Sequence, residues 1–133
     1  MLFATTGSAE AEAEKVLSTT ELMNAQRLTR VIPVGEQVAE TILKVVRTAR
    51  PGPDADDFVN KNVAWGPSPR ASQALMLGAR ARALLQGRLS PSPEDVAALL
   101  EPVFKHRMAL NFTARADGHT IQSTIARLAQ LIA

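Results

Sequence analysis

Apolar positions in this chain recur at helical spacing in five separate stretches. Leu22, Ala25 and Leu28 fall on one face of a helix predicted over about 19 to 29. Its start is marked by Ser18 and Glu21, an S-x-x-E capping box in which each side chain satisfies the other residue's free backbone N–H. Leu17 and Leu22 occupy the staple positions on either side of that cap. After Pro33 and a Gly35 N-cap, the apolar stripe Val38, Ile42, Val45, Val46 and Ala49 predicts a second helix that ends before Pro51-Gly52-Pro53. Residues 54 to 65 read as a polar connection, with room for a short helical turn at 55 to 61.

The third helix has the clearest boundaries. Ser68 is its N-cap, Pro69 takes N1, where a missing donor costs nothing, and Arg70 falls at N2. Ala71, Ala74, Leu75, Gly78, Ala81 and Leu85 form a face of mostly small residues, and Gly87 is a natural stop. Ser92-Pro93 repeats the start signal for a fourth helix, in which Val96, Leu99, Leu100, Val103 and Phe104 fit the core-facing template completely. Pro102 lies inside that pattern and removes one backbone bond, so a kink or break near 101 is expected. A last helix over about 120 to 132 carries Ile121, Ile125, Leu128 and Ile132.

Composition narrows the fold. Across 133 residues, 46% are apolar and 21% charged, while aromatics make up only 4% and tyrosine is missing. A core built from Leu, Val, Ile and Ala favours packed helices over a sandwich or barrel, and the fold class expected is all-α: a small bundle of about five helices with irregular connections. A formal charge of +2 is too small for the clustered basic face of a nucleic-acid binder. This weighs against a helix-turn-helix reading of the third and fourth helices. Without cysteine, and with only His106 and His119, no disulfide scaffold or ordinary metal site is expected. No apolar run approaches the ~20 residues that span a bilayer, and Met1-Leu2-Phe3 is too short for a signal peptide, so a cytoplasmic location is expected.

Candidate chemistry centres on Gly66-Pro67-Ser68-Pro69-Arg70-Ala71. A helix N-terminus gathers unpaired N–H groups and about half a positive charge. A guanidinium at N2 adds positive charge to a positive pole, an arrangement that makes sense if an anion such as phosphate arrives there. Local physics alone leaves the ordinary reading, a solvated arginine on a helix start, in front. His106-Arg107 reads as a C-terminal helix cap, His119 as a polar loop residue, Arg80, Arg82 and Arg88 as a solvated face, and Trp65 as a core plug. There is no G-x-x-x-x-G-K-[ST] phosphate loop, no strand ending in an acidic pair for Mg²⁺, and no Ser/His/Asp or Cys/His set. No catalytic residue is therefore expected in this chain.

These residues carry a resemblance. Val63-Ala64-Trp65-Gly66-Pro67-Ser68-Pro69-Arg70-Ala71 resembles the "GASPRA"-type sensor 2 motif of MoxR-family AAA+ ATPases. Gly87-Arg88 with Ser92-Pro93-Glu94-Asp95-Val96 is similar to the family's "GR" and "peDV" segments, and Glu101-Pro102-Val103-Phe104-Lys105-His106-Arg107 to its "PVLrHR" segment. Ala4-Thr5-Thr6-Gly7 resembles the stretch between the α/β core and the lid. Pro67 departs from the small residue usual there and should stiffen the loop.

The resemblance implies a lid domain over 17–133 and a lead-in from an ATPase core over 1–16. It gives Arg70, with Ser68 and Pro69 shaping the helix start, the role of contacting the γ-phosphate of ATP, bound with Mg²⁺ by the core of the same or a neighbouring subunit. It further implies chaperone-like remodelling, assembly as a homo-oligomer, usually a hexamer, and a von Willebrand factor A domain protein as partner, with no nucleic acid and no membrane. The alternative is a free-standing helical adaptor binding another protein through the third helix.

Overall fold

The computed structural model describes residues 14–132. Seven helices and one small ribbon follow in order: α1 (Thr19–Val31), α2 (Glu36–Thr48), α3 (Asp57–Asn62), β1 (Val63–Trp65), α4 (Pro69–Leu85), α5 (Pro93–Phe104), β2 (Ala109–Leu110), α6 (Phe112–Ala116) and α7 (Ile121–Gln130). The all-α class holds, as a helical bundle with a two-stranded antiparallel ribbon pairing Val63 with Leu110 and Trp65 with Ala109. The lead-in expected over 1–16, including Ala4-Thr5-Thr6-Gly7, lies mostly outside the described residues.

The core forms where α4 and α5 pack side by side and α2 and α7 close over them. Phe104, Leu75, Leu100, Ile42 and Leu128 are its largest fully buried side chains. Gly78 allows the α4–α5 approach: a Cβ there would stand 3.0 Å from Leu99 Cδ1. The buried line along α4 is Ala71, Leu75, Ala79 and Ala83, a strict i, i+4 row. This corrects the expected face, since Ala81 is only half-buried and Leu85 is 89% exposed. In so alanine-rich a helix, apolar content marks no side.

Caps fix the helix starts as read. In α1, Ser18 N–H donates to Glu21 Oε2 at 2.7 Å and Glu21 N–H to Ser18 Oγ at 3.2 Å. Gly87 stops α4 at φ 73°, with its N–H on Leu84 O and Arg88 N–H on Ala83 O. One reading is narrowed. Pro102 does not break α5, which runs on to Phe104; only its last turn lies beyond the proline, and the residue four before it, Ala98, is exposed, so its carbonyl can be met by water. Helix α1 forms, but none of its residues is buried.

The polar connection holds more structure than its sequence advertises. Asp56 caps α3 by accepting from Val59 N–H at 2.8 Å. Asn111 caps α6, accepting from Ala114 N–H at 2.9 Å, while its Nδ2 donates to Lys61 O at 2.6 Å. One asparagine thus starts a helix and ties it to the end of α3.

Candidate functional site

Three loop residues carry the chain into α4, and their placement follows from one missing side chain. Gly66 rests directly on the C-terminal end of α2. A Cβ built there would lie 2.2 Å from Ala49 O and 2.8 Å from Arg50 Cα, so any side chain would force the backbones apart. The next residue, Pro67, is fully buried, and its ring fixes φ at that point of the loop. Ser68 (φ -82°, ψ 171°) follows and opens the helix, with Pro69 at N1 and no helix amide donating to the Ser68 side chain.

Arg70 emerges exposed from this rigid base, at N2, and takes part in none of the ion pairs formed among the described residues. No acidic residue stands in the first turn of α4. The helix dipole and the guanidinium therefore point the same sign of charge at solvent, a combination suited to an anion. Ser68 and Pro69 are likewise exposed beside Arg70. The structure brings these three residues together at one surface corner.

Other candidates resolve into structural roles. Arg107 Nη1 donates to Val103 O at 2.8 Å and caps the end of α5, with His106 against its guanidinium. His119 is half-buried, edge-on to Phe58 with ring centroids 5.2 Å apart, a packing role that its loop setting hid. Arg127 covers the same ring at 4.8 Å and reaches Asp56 at 3.3 Å. Trp65 is 54% exposed and does not plug the core. The irregularity between Val63 and Trp65 in the ribbon explains this, because the extra residue turns Trp65 away from the buried side that Val63 occupies.

The reading of Arg82 and Arg88 as a solvated face is also corrected. Arg88 grips the buried Asp95 with both terminal nitrogens, at 2.8 and 2.7 Å, and Arg82 Nε joins at 3.2 Å. Asp95 also accepts from Ser92 N–H at 2.9 Å. The Arg88 guanidinium first, helped by the Ser92 amide and the charge of Arg82, holds the Asp95 carboxyl down at about 2. The pair closes the α4–α5 turn. Its legible signal was the Ser92/Asp95 spacing of a capping box; the arginine seven residues earlier carried no local mark.

Comparison with known proteins accords with this architecture. A model of the AAA lid domain matches residues 56–128. The chain belongs to the AAA lid domain family. Two of its relatives carry the MoxR name: it is 32% identical to chaperone MoxR1 of Mycobacterium tuberculosis over 92% of this chain and 33% of that protein. Protein MoxR of Paracoccus denitrificans is 50% identical over 49 residues, 37% of this chain and 14% of the relative. The structure of a putative ATPase from Cytophaga hutchinsonii shares the fold, with a TM-score of 0.79 at 22% identity, covering 88% of this chain and 36% of that one. The chain thus has the lid of a MoxR-family AAA+ ATPase, and spans about a third of the length of chaperone MoxR1. No helix among the described residues is long and apolar enough to cross a membrane.

Proposed function

We propose that this chain is the nucleotide-sensing lid of a MoxR-like AAA+ ATPase, with Arg70 as its sensor 2 residue. One observation carries the reading: an exposed guanidinium without an ionic partner among the described residues sits on a helix start that its own N-cap serine leaves without a side-chain bond. A terminal phosphate offers the complementary charge and acceptor oxygens. Ser68 and Pro69 set the direction of the first turn, and Gly66 and Pro67 keep that turn fixed relative to α2. ATP and Mg²⁺ are held by the ATPase core, and the lid supplies one contact to the γ-phosphate, in its own subunit or a neighbour's. The lid then moves with the state of the nucleotide.

On this reading the lid also helps build a cytoplasmic ring, a hexamer, that works as a chaperone-like remodeller, with a von Willebrand factor A domain protein as partner. The lid alone holds no catalytic group, and one guanidinium with a helix end cannot outweigh the hydration of a triphosphate. Isothermal titration of ATP into the isolated chain is expected to show weak binding or none; micromolar affinity would contradict the reading.

The direct test is turnover by a MoxR-type ATPase carrying this lid on its core. Arg70→Ala should lower ATP turnover by about tenfold or more, as removal of a preorganised charge contact does. The same change in the isolated lid should leave stability within about 0.5 kcal/mol, because N2 is exposed. Full turnover by the variant would remove Arg70 from the nucleotide site, and a large loss of lid stability would make it a structural residue.

A further inference from the structure

Helix α1 is amphipathic, carries Leu22, Met23 and Leu28, and yet buries no residue. An isolated helix of this length is marginal in water, so its apolar side chains represent stabilisation that this chain by itself leaves unused. Its one neighbour of consequence is α4, and the junction is loose. A groove of about 360 Å³ runs between the two helices, its walls formed mainly by Ala25 and Leu28 on α1 and by Ala81, Leu84 and Leu85 on α4. A second, of about 530 Å³, continues past Gln26 and Arg30 to Leu77 and Gly78. The tie across the junction is Arg80, whose Nη1 donates to Arg30 O at 3.2 Å.

Among the described residues that line this floor, the charged side chain is basic, Arg30. Neither groove is lined by a carboxylate. Arg27 and Arg30 stand exposed on α1 and join none of the ion pairs among the described residues. The acidic residue of α1, Glu21, is held at the far end by its capping box with Ser18. Arg80 Nε is buried with no acceptor among the described residues. A largely apolar floor with Arg30 on its wall, running along about two turns of each helix, matches the recognition of an amphipathic helix in a groove. The complementary flanks are acidic.

We infer that the α1–α4 face is a docking site for an amphipathic α-helix with Glu- or Asp-rich flanks, belonging to a protein outside this chain. Leu28 and Leu85 supply the apolar contacts, and Arg27 and Arg30 select the charge. This assignment stands apart from the role of Arg70, at the other end of α4.

The test uses the whole chain and two labelled designed peptides. Both have a leucine stripe at helical spacing, with all-Glu flanks in one and all-Lys flanks in the other, followed by fluorescence anisotropy. The Glu peptide is expected to bind saturably, at least tenfold more tightly than its Lys twin, and more weakly as salt rises. Leu28→Asp and Leu85→Asp should each weaken it at least tenfold. Arg27→Glu with Arg30→Glu should erase or invert the preference between peptides. All four positions are exposed, so far-UV circular dichroism and the thermal midpoint should stay unchanged. Equal affinity for the two peptides, or undiminished binding by the leucine variants, overturns the proposal. So does a dimer of the chain in sedimentation that Leu28→Asp splits, which would assign the face to a second copy. Binding to phosphatidylglycerol vesicles without peptide binding would assign it to a lipid surface instead.

Discussion

Gly66 shows how much can rest on an absent atom. Its hydrogen faces the carbonyl of Ala49 at a separation that no Cβ tolerates, so Gly66→Ala must push the loop off α2 or bend α2 itself. Overpacking of this kind costs about 1 to 3 kcal/mol, more when backbone is the obstacle. Urea denaturation of the variant should show a loss in that range; unchanged stability would mean that the loop does not rest on α2. The sequence shows a glycine before a Pro-Ser-Pro start but not this contact, which exists only once α2 and the loop are folded together. Trp65 is the opposite case, a large apolar residue expected inside and found half outside because one extra residue in β1 turns it. As the sole tryptophan it reports on itself. Its emission should resemble that of a solvated indole and be readily quenched by acrylamide, and Trp65→Ala should cost less than about 1.5 kcal/mol. A blue-shifted, protected emission would place it in the core after all.

At the scale of elements, the turn between α4 and α5 makes the sharpest solution prediction. The Asp95 carboxyl is held at about 2 in the folded state, below its ordinary 3.8. A lowered carboxyl adds stability that is fully present above the unfolded value and disappears as pH falls through the folded one. The window is therefore from about pH 4 to about pH 2, and the contribution at neutral pH is on the order of 2 kcal/mol. Thermal melts across that range should show the decline, and Asp95→Asn should lower stability at pH 7 and flatten this part of the profile. A variant as stable as the parent at pH 7 would show that the Arg88–Asp95 pair contributes nothing. Helix boundaries were the most legible features here: Ser18 with Glu21, Ser68-Pro69, Gly87 and Ser92-Pro93 all mark starts or stops that the fold uses. Burial was less legible. The alanines of α4 do not declare a side, α1 has an apolar stripe with no core beneath it, and the tie from Asn111 to Lys61 O, fifty residues earlier, exists only once the chain is packed.

For the molecule as a whole, stability should be uneven. Helix α1 joins the rest through Arg80, Ile32 and a shallow junction, while α4 and α5 form the centre. Amide hydrogen exchange should find α1 opening well before the core helices, and equally slow exchange throughout would contradict its peripheral place. The overall architecture was readable from apolar spacing and low aromatic content, because a bundle needs little more than correctly phased aliphatic faces. The position of Arg70 at a helix start was readable from Ser68-Pro69-Arg70 because a serine-proline start is a local signal, whereas the contact of Gly66 with the end of α2, fifteen or more residues upstream, was not.

The short ribbon has a mechanical consequence. It fastens the stretch just before α4 to the stretch just after α5, with Trp65 opposite Ala109, while Arg88 and Asp95 lock the opposite end of that hairpin. A two-helix clasp pinned at both its base and its tip has no soft hinge in which to absorb a load. A tug on the base must therefore swing the pair as a single lever arm, carrying the far end through an arc rather than splaying the helices.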